Sequence, residues 1–143
     1  MSETQSNSVS AVMPVQLPPG PAERTVYSYG VRAGDQLHIS GMVAFDSEAN
    51  IVGEGDIEAQ TEQVFKNLQA VVEEAGGTIN NIVSTTTYLA DVTDAPVVNV
   101  ARARYFTEDV LPTHTVIGVA ALARPQFLVE ISAVAYLGDL SKD

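Results

Sequence analysis

Residues 56–77 constrain the fold more than any other part of the chain. Asp56 stands where a helix N-cap belongs. Ile57, Thr61, Val64, Leu68, Val71, Val72 and Ala75 then recur at helical spacing before Gly76-Gly77 ends the run. Strand-like runs border this helix on both sides. Upstream, residues 25–31 (TVYSYGV) and 37–43 (LHISGMV) read as two strands joined by the turn Ala33-Gly34-Asp35. Downstream, residues 82–89 (IVSTTTYL) are rich in β-branched side chains and predict a third. Asp94 is placed to cap a second helix with Pro96 in its first turn, and Val97, Val100, Ala101 and Tyr105 mark its expected buried side. Residues 113–119 and 128–137 complete the set, joined by the turn Ala123-Arg124-Pro125-Gln126. The resulting order, ββαβαββ, predicts an α+β fold, a mixed sheet with two helices on one face.

The last strand bears on assembly. Val129, Ile131, Ala133 and Ala135 fall on one side, while Val134 and Tyr136 share the other with Glu130 and Ser132. A sheet that is apolar on both faces, with helices on only one, predicts that a second copy covers the other. Residues 1–21 read as a flexible or extended tail, polar at first and then proline-rich (MPVQLPPGP). Residues 22–140 form the domain, the size expected of a single core within 143 residues.

Composition narrows the function. Seven Lys and Arg against eighteen Asp and Glu leave a net charge of −11, which argues against nucleic acid as a partner, because affinity for a phosphate backbone needs clustered cations. No apolar run approaches the ~18 residues that cross a bilayer, so no membrane partner is expected. The chain has no cysteine, and its first residues lack the basic and apolar regions of a secretory signal; a cytoplasmic location is the expectation. No G-x-S-x-G elbow or phosphate loop is present. His38, His114 and Glu130 lie on three separate segments without ligand spacing, so no metal site is read from them.

Four segments, taken together, resemble the Rid family of reactive intermediate deaminases, formerly called YjgF-like. They are Tyr27 with Gly30 and Ile39-Ser40-Gly41; Glu74-Ala75-Gly76-Gly77 followed by residues 82–89; Val98-Asn99 running to Tyr105-Phe106; and Pro112-Thr113-His114-Thr115 followed by Val129-Glu130-Ile131-Ser132-Ala133. The match spans about residues 21–138. It implies a chorismate-mutase-like fold, a homotrimer, and small-molecule clefts between subunits. It also implies hydrolysis of reactive enamines or imines to a carbonyl compound and ammonia with no cofactor. By that resemblance Glu130 orients the attacking water, Tyr27 helps close the cleft, and Asn99 and Thr115 are substrate-binding positions.

One position departs from the pattern. Where the family carries an arginine that holds the substrate carboxylate, this chain has His114. An imidazole offers fewer donors than a guanidinium fork and is mostly neutral near pH 7. Three readings stay open: the substrate differs from 2-aminoacrylate, another cation such as Arg124 or Arg32 reaches the cleft, or the site binds without turnover. Glu130 and His114 are the candidate catalytic pair, and Tyr27, Asn99, Thr115 and Arg124 the candidate substrate contacts. The alternatives are a structural histidine and a carboxylate paired across the subunit interface. At the level of function, the alternatives are a tautomerase or ring-opening hydrolase, and a metabolite-binding or chaperone-like trimer.

Overall fold

The structure is a computed structural model that describes residues 8–19 and 26–138. Six strands form one mixed sheet: β1 (Val9–Val12), β2 (Gly30–Ala33), β3 (Gln36–Met42), β4 (Ile82–Leu89), β5 (Thr113–Gly118) and β6 (Val129–Tyr136). Their spatial order is β1-β2-β3-β6-β4-β5. Only β4 and β5 run parallel; the other neighbouring pairs are antiparallel. Helices α1 (Ile57–Glu74) and α2 (Ala95–Tyr105) follow β3 and β4 in the chain, and their buried residues join the core with one face of the sheet. Asp56 caps α1 as its sequence position predicts, accepting from Ala59 N at 3.1 Å, and Gly76 takes a positive φ of 96° beyond its last turn.

The structure corrects four local expectations. Val9–Val12, within the stretch read as a tail, forms edge strand β1 and pairs with β2 from Val9↔Ala33 to Val12↔Gly30. Leu17 is fully buried nearby and Pro14 is buried too, so the described part of the proline-rich stretch anchors in the core at these two residues while Met13 and Val15 stay exposed. The first expected strand is displaced. Residues 20–25 lie outside the described set, Val26 and Tyr27 are exposed, and pairing begins only at Gly30. The expected cap Asp94 makes no side-chain cap bond to α2; Asp91 instead receives Thr93 N and Oγ1 and closes a short 3-10 turn before the helix. On α2 the buried positions are Val98 and Ala101, whereas Val100 is exposed.

The sheet separates its two faces cleanly along β6. Val129, Ile131, Ala133 and Ala135 point into the helix-covered core, while Glu130, Ser132 and Val134 are half-buried on the opposite face and Tyr136 is exposed. Strand β5, at one edge, is exposed at five of its six positions, with Val116 half-buried. An open face that mixes Val134 and Tyr88 with Glu130, Ser132, Ser84 and Thr86, together with an exposed edge strand, leaves much of this side uncovered by the described residues.

Two amides on the inner face of α1 connect helix and sheet. Gln60, fully buried, donates to Gly53 O (3.2 Å) and Gln126 O (2.8 Å) and accepts from Leu128 N (2.9 Å). Asn67, seven residues along the helix, donates to Val43 O and Phe45 O at 3.0 Å each and accepts from Gln63 Nε2. Gly53 O and Val43 O have second donors in Asp56 N and Phe45 N, but an apolar isostere would leave Gln126 O and Leu128 N, or Phe45 O, without their side-chain partner in the interior. Gln60→Leu should therefore lower stability by about 2–4 kcal/mol, measured by urea unfolding; a change under half that size would show that the segment before β6 is held by other means.

Candidate functional site

Two clefts hold the candidate residues, one on each face of the sheet. The first has a volume of about 440 Å³ and is lined by Tyr27, Ser40, Gly41, Phe45, Phe127 and Glu130 among others, with Arg124 at its side. Its walls are the segments the α1 amides secure: the exit of β3 held by Asn67, and the approach to β6 held by Gln60. Ser40 donates its hydroxyl to Ser28 O at 2.7 Å, and Tyr27 meets Tyr29 edge-on at 6.0 Å between ring centroids. Arg124 is exposed and lies 6.0 Å from the centre of the Phe127 ring.

Glu130 is the carboxylate that lines this cleft. It is half-buried, has no hydrogen-bond or ionic partner among the described residues, and burial raises its pKa above the ordinary glutamate value. Among those residues the ion pair within 4.0 Å is Arg104–Glu62, elsewhere on the surface. The room for the Glu130 carboxylate comes from Gly41 on the adjoining strand. A Cβ at that position would overlap the Glu130 side chain.

The second cleft, about 400 Å³, lies where α2 meets the edge strand and is lined by Asn99, Arg102, Phe106, Leu111, Pro112 and His114. The ladder explains why His114 belongs here and Glu130 does not. His114 pairs with Thr85, which pairs with Ala133 on the helix-covered face. Glu130 pairs with Tyr88, which pairs with Ile117 on the open face. Two strand spacings, about 10 Å, also separate β6 from β5. Within one chain, the two candidate catalytic residues do not share a cavity.

The sequence candidates therefore fall into three groups. Tyr27, Arg124 and Glu130 line the first cleft, and Asn99 and His114 the second. Thr115, one residue past His114, pairs with Thr86, which pairs with Ser132 on the open face, and it lines neither cleft. Of the two arginines considered as replacements, Arg124 reaches one of these two clefts. Arg32 does not: its guanidinium binds Gly34 O and Ala75 O at the end of α1.

The residue that sequence reasoning missed is Arg102. Its Nη1 donates to Thr85 Oγ1 at 2.9 Å, and its Cζ sits 5.1 Å from the centre of the Phe106 ring. Thr85 in turn donates to Thr113 O on β5 at 2.9 Å. The signal available was spacing: Asn99, Arg102 and Phe106 recur at helical intervals and so share a face. Burial lowers the pKa of His114, with the nearby Arg102 charge adding to the effect, so the imidazole is neutral near pH 7. No helix among the described residues is long and apolar enough to cross a membrane.

Known proteins resemble this chain in sequence and in fold. The family model described as endoribonuclease L-PSP matches residues 19–137. A RutC family protein of Synechocystis is 38% identical over 124 residues, spanning 86% of this chain and 95% of its own length. One from Pyrococcus horikoshii is 36% identical over 110 residues, spanning 77% and 86%. Among solved structures, the Rid family protein YyfA of Yersinia pestis superposes with a TM-score of 0.82 at 31% identity, covering 90% of this chain and 99% of that one. RidA of an Antarctic Psychrobacter superposes with a TM-score of 0.79 at 31% identity, covering 89% and 98%. The strand order, the two helices on one face and the matched span together place the chain in the Rid family, the group covered by the endoribonuclease L-PSP family model.

Proposed function

We propose that this chain is a cofactor-independent hydrolase that deaminates small imines or enamines, working as a homotrimer whose active clefts form between copies. The observation that carries the reading is the unpaired, half-buried Glu130 carboxylate, held in a small cleft beside Tyr27 and Ser40 with its pKa raised. A carboxylate tuned upward is suited to accept a proton from water near neutral pH. The proposed step is hydrolytic. Glu130 takes a proton from water as the water oxygen bonds to the C=N carbon, and returns that proton to the nitrogen to give the carbinolamine. The carbinolamine then collapses: Glu130 moves the hydroxyl proton to the amine nitrogen, the C–N bond breaks, the carbonyl forms, and ammonia leaves. Enamines enter by protonation at carbon to give the imine.

In this assembly the open-face cleft of one copy meets the β5 edge of its neighbour, so that Glu130 and Tyr27 from one chain face His114 and Asn99 from the next. Support comes from the exposed Leu111, Ile117 and Tyr136 on the surfaces concerned and from an edge strand bare at nearly every position. Clefts of this volume suit a metabolite. The net charge of −11 opposes RNA as the substrate, whatever the family model's description.

The reading is testable in assembly, turnover, pH dependence and stability. Sedimentation should give three times the chain mass, and semicarbazide trapping of 2-imino acids, made in situ by an amino-acid oxidase, should show accelerated imine loss; a monomer, or binding without turnover, would refute it. Glu130→Gln should lower kcat/KM by about 10²–10⁴-fold. The acidic limb of the wild-type pH–rate profile should lie above the ordinary glutamate value of 4.5, because the carboxylate acts only once ionised. The same substitution should raise the melting midpoint by about 1–3 °C at neutral pH: folding raises this pKa, so stability is lost as pH rises and the group ionises. Gly41→Ala, which displaces the carboxylate without removing it, should cost turnover comparably while the trimer persists; unaltered kinetics would place Glu130 outside the chemistry.

A further inference from the structure

We propose that Arg102 is the anion-binding residue of the β5 half-site, so that the substrates of this chain carry a carboxylate held from helix α2. The inference rests on the functional reading above and specifies its substrate class. In an acidic chain with eighteen carboxylates available, Arg102 makes no ion pair among the described residues. It is half-buried in the cleft wall beside His114 and Asn99. A guanidinium withdrawn from water is costly without an anion, and an anion entering this cleft would supply one.

Its pose is also set in advance. Thr85, buried beneath it, accepts one Nη1 hydrogen, and Phe106 lies against the guanidinium. No hydrogen bond within the described residues takes up its Nε and Nη2 donors, which suits a carboxylate's two oxygens. His114, neutral beside this charge, can donate one further bond without adding a second cation. Asn99, one turn earlier on the helix, adds an amide to the same wall.

The test separates anion recognition from catalysis. Binding of 2-oxopentanoate and of its neutral counterpart 2-pentanone is followed by saturation-transfer NMR and calorimetry on the wild-type assembly, on Arg102→Met and on Arg102→Lys. Thermal melts check that each variant folds. The expected result is preference for the acid in wild type, a loss on the order of tenfold to a hundredfold in affinity for the acid alone in Arg102→Met, and partial recovery in Arg102→Lys. If Arg102→Met does not fold, the same comparison is made with Arg102→Gln. Equal loss for acid and ketone, or undiminished affinity for the acid, overturns the assignment. With imine substrates, the variant should raise KM for 2-imino acids by a larger factor than KM for uncharged imines. Absence of turnover in wild type would sink the hydrolase reading, whereas the binding preference would still decide the role of Arg102.

Discussion

Two buried side-chain amides on helix α1 hold the open-face cleft in shape. Gln60 and Asn67 reach from one helix face to the backbone on both sides of the cleft, Asn67 to the exit of β3 and Gln60 to the approach to β6. These segments leave the regular sheet ladder where the cleft begins, and Phe45 O, Gln126 O and Leu128 N turn to the helix amides. The helix supplies what the ladder cannot. Removing either amide would leave carbonyls or amide hydrogens dry and unpaired, which costs more than an ordinary hydrogen bond contributes. Glu130 starts only two residues beyond the anchored Leu128, and its carboxylate fits because Gly41 on β3 has no side chain to meet it.

The electrostatics of the two clefts are complementary. Among the described residues, a carboxylate sits half-buried on the open face without a cation, and a guanidinium sits half-buried at the β5 edge without a carboxylate. Each arrangement is unfavourable in an isolated protomer, and the sheet lies between them, so they cannot neutralise one another inside one chain. Local frustration of this kind, placed in concave and partly apolar surroundings, is characteristic of groups kept for a ligand or a reaction. The proposed assembly gives both a use: water and the C=N carbon at Glu130, the substrate anion at Arg102.

Much of the fold was legible from pattern alone. Helix α1 was marked by periodicity and by both of its ends, Asp56 and Gly76, and β4 and β6 were marked by β-branched density. Strand β1 was not legible: four residues beside a proline-rich run carry too little alternation, and their pairing with β2 is a tertiary event. On α2 the choice between Val97, Val98 and Val100 for the buried side fell to small rotations that a short, weakly amphipathic helix does not encode. Of the site, Glu130 stood out as a charge interrupting an apolar strand. His114 stood out only through the family resemblance, which supplied the position's meaning and the missing guanidinium together.

By itself, the order of residues determined the element types, the helix-covered face of β6, the acidic surface that disfavours nucleic acid, and the identities of the candidate acid and imidazole. These are local or summed properties, set by spacing and charge count. Tertiary structure alone decided that Glu130 and His114 lie on opposite faces of the sheet, because a residue's face depends on register across β6, β4 and β5. It also decided that Arg102, one of several scattered arginines in sequence, stands beside His114: only the packing of α2 against the β5 edge brings a guanidinium to that imidazole.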